Sequence, residues 1–151
     1  DVPGEDVTTT GLRFFQVIPS AASHLQISGG YEREARFFPV FYFDSDVDVT
    51  TQSHRLVLAW YPNRQLGLAV AYSASALDHS TASSVDLEED VQGYGLSIRY
   101  DPTESFGLTF SAGSGSDEVR QIRYDGLGNI VSLLSRDLDY NSLGLTLTWR
   151  F

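Results

Sequence analysis

Three histidines and a scatter of carboxylates are the residues that could do acid–base or metal chemistry here, in a chain with no Cys and no Met. His79 lies between Asp78 and Ser80, which together supply the residue types of a nucleophilic triad. A triad works only when a rigid scaffold holds nucleophile, base and orienting carboxylate within hydrogen-bond reach. The segment around His79 reads as a loop, where sequence neighbours rarely hold that geometry, so no catalytic residue is expected. His54 precedes Arg55 and falls on the apolar side of its strand, a poor setting for a general base. Asp44, Asp46 and Asp48 alternate as at the start of a calcium loop. The Gly, the distal Glu and the flanking helices of an EF-hand are missing, so a solvated acidic surface is expected instead. Gly126-Leu127-Gly128 lacks the strand–helix context of a dinucleotide loop and reads as a turn. Neither cofactor nor metal is expected.

The elements that would position any such site are strands. The 151 residues make one domain, and a net charge of −10 argues against nucleic acid, whose phosphates need a basic surface. Every basic residue is Arg. Without Cys there is no disulfide framework. No apolar run is long enough for a transmembrane helix. The 13 Gly residues and 13% aromatic content favour β structure. Residues 1–7 read as a polar leader with a turn, as in a processed exported protein.

Alternation of period two recurs along the chain. In the last twelve residues Leu143, Leu145, Leu147, Trp149 and Phe151 oppose Ser142, Gly144, Thr146 and Thr148. Leu66, Leu68, Val70 and Tyr72 oppose Gly67, Ala69, Ala71 and Ser73; Tyr94, Leu96, Ile98 and Tyr100 oppose Gly93, Gly95, Ser97 and Arg99. Similar strands are expected over residues 8–18, 24–31, 53–61, 106–113 and 119–139, with the last range folded about a turn at Asp125–Asn129. An acidic loop is expected around Asp86–Asp90. A tight turn at Glu32–Ala35 gives eight strands; one long strand over 24–43 gives seven, and the facing of residues 36–43 is ambiguous. Single-chain bacterial barrels have even strand numbers, which selects eight. Both termini then share one end with short turns near 33, 63 and 102. Trp60, Tyr61, Tyr100, Trp149 and Phe151 gather there as an interfacial aromatic girdle would.

The polar face is built of Gly, Ala, Ser and Thr rather than the Lys and Glu of a solvated surface. It suits the crowded lumen of an eight-stranded barrel, and the opposite face suits lipid. The expectation is an all-β, eight-stranded antiparallel up-and-down transmembrane β-barrel with extended extracellular hairpins, spanning 1–151 as one domain. A soluble lipocalin-like binder, with its apolar face inside, is the alternative. Inward Arg13, Arg55, Arg99 and Arg150, with Glu32, form a candidate lumen ion-pair network; an anion-selective constriction is the other reading.

The terminal strand ending on Phe151 resembles the closing strand of bacterial outer-membrane β-barrels. The architecture as a whole resembles the small eight-stranded barrels of the OmpA/OmpX type. That resemblance implies the outer membrane of a Gram-negative cell, contact with its lipid and lipopolysaccharide, and recognition of the terminal strand by the barrel-assembly machinery. It also implies that the acidic loops could bridge lipopolysaccharide phosphates through divalent cations. Lipid A deacylases of this group use a His and a Ser on a late strand, and here the late strands contain no His: the three are His24, His54 and His79. The expected function is therefore non-enzymatic, structural or interaction-mediating, through the extracellular rim. The extended 114–139 hairpin offers Val119, Ile122, Ile130 and Leu134 as an exposed edge for a protein partner. A narrow channel or conduit for small or hydrophobic solutes is the alternative, followed by a lipid A-modifying enzyme.

Overall fold

In the computed structural model, residues 6–38, 47–81 and 85–149 are described. They form seven strands and no helix: β1 (Asp6–Pro19), β2 (His24–Phe38), β3 (Val47–Tyr61), β4 (Leu66–Thr81), β5 (Val85–Tyr100), β6 (Phe106–Tyr124) and β7 (Ile130–Trp149). Each pairs antiparallel with its chain neighbours in one up-and-down sheet ordered β1 to β7. Local turn chemistry fixes the register at one end. Asn63 Oδ1 accepts hydrogen bonds from the backbone N–H groups of Gln65 and Leu66, both at 2.8 Å. Thr103 Oγ1 accepts from the Phe106 N–H at 3.1 Å. At the other end, Asp125 closes the β6–β7 turn by accepting from the N–H groups of Leu127 (2.9 Å) and Asn129 (2.8 Å). Gly128 sits there at φ 81°, a conformation only Gly adopts freely. Just beyond this turn the register shifts at Arg123/Tyr124, a bulge on the β7 side at Val131.

Several sequence expectations change. Glu32–Ala35 is not a turn: β2 runs through it, with Glu32 paired to Gly11 on one side and Ser53 on the other. The leader is shorter than residues 1–7, since Asp6 and Val7 belong to β1. With seven strands the ends of the described sheet lie apart. Pro19, the turns at 20–23, 62–65 and 101–105, and Trp149 share the short-turn end; Asp6 lies at the far end with the Asp125–Asn129 turn. The acidic run Asp86–Asp90 is strand, in continuous register with β4 and β6. Residues 39–46, which include Asp44, Asp46 and Pro39, lie outside the described residues, as do Arg150 and Phe151.

β1 and β7 have one strand neighbour each and do not meet, so the sheet is not closed. It is nevertheless curved. Along β5, Glu89, Val91, Gly93, Gly95 and Ser97 are half-buried while Asp90, Gln92, Tyr94, Leu96 and Ile98 are exposed. No second layer of the described residues covers the half-buried side, so it is the concave, inner face. Ala59, at 6% exposure, is the only buried hydrophobic residue among those described, and it lies on that face. The chain exposes 11042 Å², against roughly 7,600 Å² for a compact monomer of 16.7 kDa. The missing core is the main physical fact of this fold. The apolar side chains need a covering that the described sheet does not provide.

Candidate functional site

The register assembles the side chains into rows across the sheet, and the rows divide it into two zones. In the short-turn half the outer face is apolar. One row reads Ile27, Leu58, Val70, Leu96, Ala112 and Leu143; the next reads Leu25, Trp60, Leu68, Ile98, Phe110 and Leu145. Tyr72 and Tyr94 close this zone from above, their rings 5.1 Å apart. In the far half the same face turns acidic. Its rows read Ala76, Asp90, Glu118 and Asp137, then Thr50, Asp78, Glu88, Arg120 and Ser135. Arg120 and Glu88 approach to 3.9 Å, and Asp139 lies one row below Asp137.

The inner face does the reverse. In the short-turn half it carries Ala59, Ala69, Ser97, Ser111 and Gly144 in one row and Val57, Ala71, Gly95, Gly113 and Ser142 in the next. Gly115 admits no larger residue: a Cβ there would land on the Gln92 carbonyl oxygen and the Tyr140 hydroxyl. In the far half the inner face gains Val49, Leu77, Leu87, Val91, Val119, Leu134 and Leu138. Asp117 sits among these, bonded to Arg136 at 2.8 Å, with its second oxygen buried and without a partner among the described residues. Both faces therefore exchange polarity partway along the same strands.

The candidate ion-pair residues separate. Arg13 donates to Glu32 at 2.9 Å, and Arg55 lies on the same inner face, paired in register with Gly30 and Ser73. These residues help line a cavity of about 810 Å³. Arg99 instead donates to Asp101 at 2.7 Å, at the short-turn end. The girdle candidates also divide. Trp60, Tyr100 and Trp149 are on the outer face, Trp149 packed edge-on to Phe106 at 5.7 Å. Tyr61 is on the inner face, stacked on His24 at 4.5 Å and leaning over Gly67.

The partner-edge candidates need correction. Val119 lies between Glu89 and Arg136, and Ile122 between Asp86 and Leu133, so β6 has no free edge. Only Ile130 and Leu134, on β7, belong to an edge strand. The His79 constellation is excluded by strand geometry. Asp78, His79 and Ser80 are consecutive in β4, which sends His79 to the inner face and its neighbours to the outer one. His54 rests against Tyr31, ring centroids 4.9 Å apart, on the outer face. No group of three or more metal-ligating side chains forms among the described residues.

Two titrations are displaced, both at the far end. Asp86 accepts a hydrogen bond from the Tyr124 hydroxyl, and this, with burial and the carboxylate's charge, raises the phenol above its usual value. The hydrogen bonds that Asp125 accepts from Asn129 and Leu127 hold its carboxyl below the usual aspartate range.

Sequence reasoning missed the outer acidic rows and the inner apolar rows of the far half, because it read residues 86–90 as a loop. The signal was present: Leu87, Glu89, Val91 and Gly93 keep one phase without a break. The class that this geometry defines is an all-β antiparallel up-and-down sheet. No protein-family model matches the chain, and no curated protein or solved structure is significantly similar to it.

Proposed function

We propose that this protein is a small, non-enzymatic transmembrane β-barrel of a bacterial outer membrane, structural or interaction-mediating. The observation that carries the reading is the exchange of polarity between the two faces. Where the outer face is Leu, Ile, Phe, Tyr and Trp, the inner face is Gly, Ala and Ser. Where the outer face carries Asp78, Asp86, Glu88, Asp90, Glu118 and Asp137, with Ile122 and Leu133 among them, the inner face gains Val and Leu beside Glu89, Asp117 and Arg136. Lipid around the short-turn half and water around the far half account for both zones at once. Trp60, Tyr100 and Trp149 are then the aromatic girdle at one interface, and Tyr72 and Tyr94 mark the other.

In this reading the barrel has eight strands. The inner Gly and Ser rows are a lumen narrow enough to be filled by side chains, with the Arg13–Glu32 pair inside it. The far half projects from the cell, its acidic rim beside the headgroups of lipopolysaccharide, and it is the surface a protein partner meets. The terminal strand, Leu143–Trp149 and onward, is the element read by the barrel-assembly machinery.

Gel mobility of detergent-folded protein, unboiled against boiled, tests this. A closed membrane barrel resists the detergent until heated, so a heat-dependent shift is expected. A protein that is soluble and β-rich without detergent, with no shift, overturns the proposal and puts the apolar outer face on the inside.

A further inference from the structure

The inner face carries one arginine whose neighbours are all hydrogen-bond donors. The register places Arg55, Ser73, Gly93, Gly115 and Tyr140 in a single row across β3 to β7, where the two faces exchange polarity. Gly93 and Gly115 clear the middle of this row. The Tyr140 side chain occupies the space over Gly115, and its hydroxyl lies 3.3 Å from where a Cβ on Gly93 would stand. Ser73 Oγ, coming from β4, lies 3.3 Å from the same point. Two hydroxyls thus converge over one glycine, with Arg55 next in the row beyond Ser73. Cavities of about 810 Å³ and about 590 Å³ meet here, with Arg55, Val57 and Ser73 in the walls of both.

The charges around the row are committed, Arg55 excepted. Glu32, diagonal to Arg55 on β2, accepts a hydrogen bond from Arg13 at 2.9 Å. Asp117, two residues from Gly115 on β6, accepts from Arg136 at 2.8 Å. Glu89 stands two inner rows away. Among the described residues Arg55 makes no ion pair, and the hydroxyls of Ser73 and Tyr140 make no hydrogen bond. The chain has 20 carboxylates for 10 arginines, so an inner arginine left without one is not explained by scarcity of partners. A guanidinium inside a narrow barrel needs an anionic partner.

We propose that this row is a binding site for a small organic monocarboxylate. A carboxylate only accepts hydrogen bonds, and the row offers it only donors: the guanidinium fork of Arg55 and the two hydroxyls. One uncommitted cation with Glu32 diagonal to it suits a single negative charge and disfavours a phosphate dianion. The rest of the ligand lies along Val57, Ala71, Gly95 and Gly113, the inner row on the short-turn side, and is therefore short and aliphatic. This goes beyond the structural reading above and rests on it only in taking the concave face as a lumen. An eight-stranded barrel has room there for one small ligand, and the glycines supply that room.

The test is a titration of detergent-folded protein with butyrate, following the butyrate carboxyl resonance by NMR. Saturable broadening is expected with the parent and none with butanamide, which has the same shape without the charge. Arg55→Gln and Tyr140→Phe should each weaken binding about tenfold or more, the loss expected for a hydrogen bond to a charged group. Arg33→Gln, on the outer face of β2, should leave binding unchanged. Tyr140→Phe keeps the ring over Gly115, so it decides the matter even if Arg55→Gln does not fold. Absence of saturable binding by the parent overturns the proposal, as does undiminished binding in Tyr140→Phe or in a folded Arg55→Gln. Equal loss in Arg33→Gln overturns the site in favour of diffuse charge, and tighter binding of inorganic phosphate overturns the carboxylate assignment. Gel mobility of the same samples, unboiled against boiled, keeps the two readings apart. A heat-dependent shift without butyrate binding overturns this proposal alone, and binding without the shift upholds the site and overturns the membrane reading.

Discussion

Replacing Leu96 with Arg discriminates sharply between lipid and water outside the sheet. Leu96 is on the outer face of β5, 45% exposed, with Val70 and Ala112 as its cross-strand neighbours. Along the strand it is equidistant from Gln92 and Tyr100, where the apolar run ends. Eight residue steps between those two make about 26 Å of strand. At a tilt of about 40° this is a band about 20 Å tall, close to the apolar height of a membrane barrel, with Leu96 near its midplane. An Arg at that depth costs about 2–4 kcal/mol, whereas one near the interface costs about 0–1. The folding equilibrium into lipid vesicles should thus fall roughly 30- to 1,000-fold. It can be followed by urea titration with Trp60 and Trp149 as reporters. Asp90→Arg, on the same strand and face but opposite Glu118, is the control and should change stability by no more than about 0.5 kcal/mol. If Leu96→Arg folds into vesicles as well as the parent, the outer face of the short-turn half is not against lipid, and the two-zone argument fails.

Two further outcomes follow from the inner face and the far turn. Gly115→Ala drives a Cβ into the Gln92 carbonyl oxygen and the Tyr140 hydroxyl, and should cost about 1–3 kcal/mol in the same titration. Gly95→Ala meets nothing nearer than the Ala71 methyl at 3.9 Å and should cost no more than about 0.5 kcal/mol; equal losses would mean that the inner rows are not packed as described. Because the Asp125 carboxyl titrates below its ordinary range, its contribution to the β6–β7 turn is present above the ordinary aspartate pKa. That contribution is lost as pH falls through the lowered value. The protection of the Leu127 and Asn129 amides, with intrinsic exchange divided out, should fall only at that acid end, and Asp125→Asn should remove that fall; protection unchanged through the acid range would refute the assignment.

The strands were legible wherever alternation paired a large residue with a small one. Leu66 to Tyr72 against Gly67 to Ser73 has one reading, and it fixed both the strand and its facing. Legibility failed where composition spoke louder than phase. Asp86, Glu88 and Asp90 look like loop residues by charge, although Leu87 and Val91 continue the period of β5 unbroken. Glu32-Arg33-Glu34 looks like a polar turn, yet all three are strand residues with partners in β1 and β3. At residues 86–90 the outer face carries a charge at every second position, whereas at 32–34 Glu32 and Glu34 are inner and Arg33 outer; local propensity cannot distinguish either from a turn. Strand parity misleads at the same place: a turn at Glu32–Ala35 would make the count even, but β2 runs through those residues.

The exchange of polarity also separates the candidate media by argument. A barrel surrounded by water along its whole length needs its apolar face inward from end to end. A barrel surrounded by lipid throughout needs it outward from end to end. Neither accounts for β5, where Leu87 and Val91 are inner while Leu96 and Ile98 are outer, with Gly93 and Tyr94 marking the change. The same change falls between Leu138 and Leu143 in β7, and between Leu77 and Tyr72 in β4. On the proposed membrane reading, one cause acts at a similar level on several strands: a boundary between two surroundings, set outside the protein. On that proposal the inner apolar rows of the far half would hold the projecting strands together in water, and the inner Gly and Ser rows would have only to fill the space that a lipid-covered wall encloses.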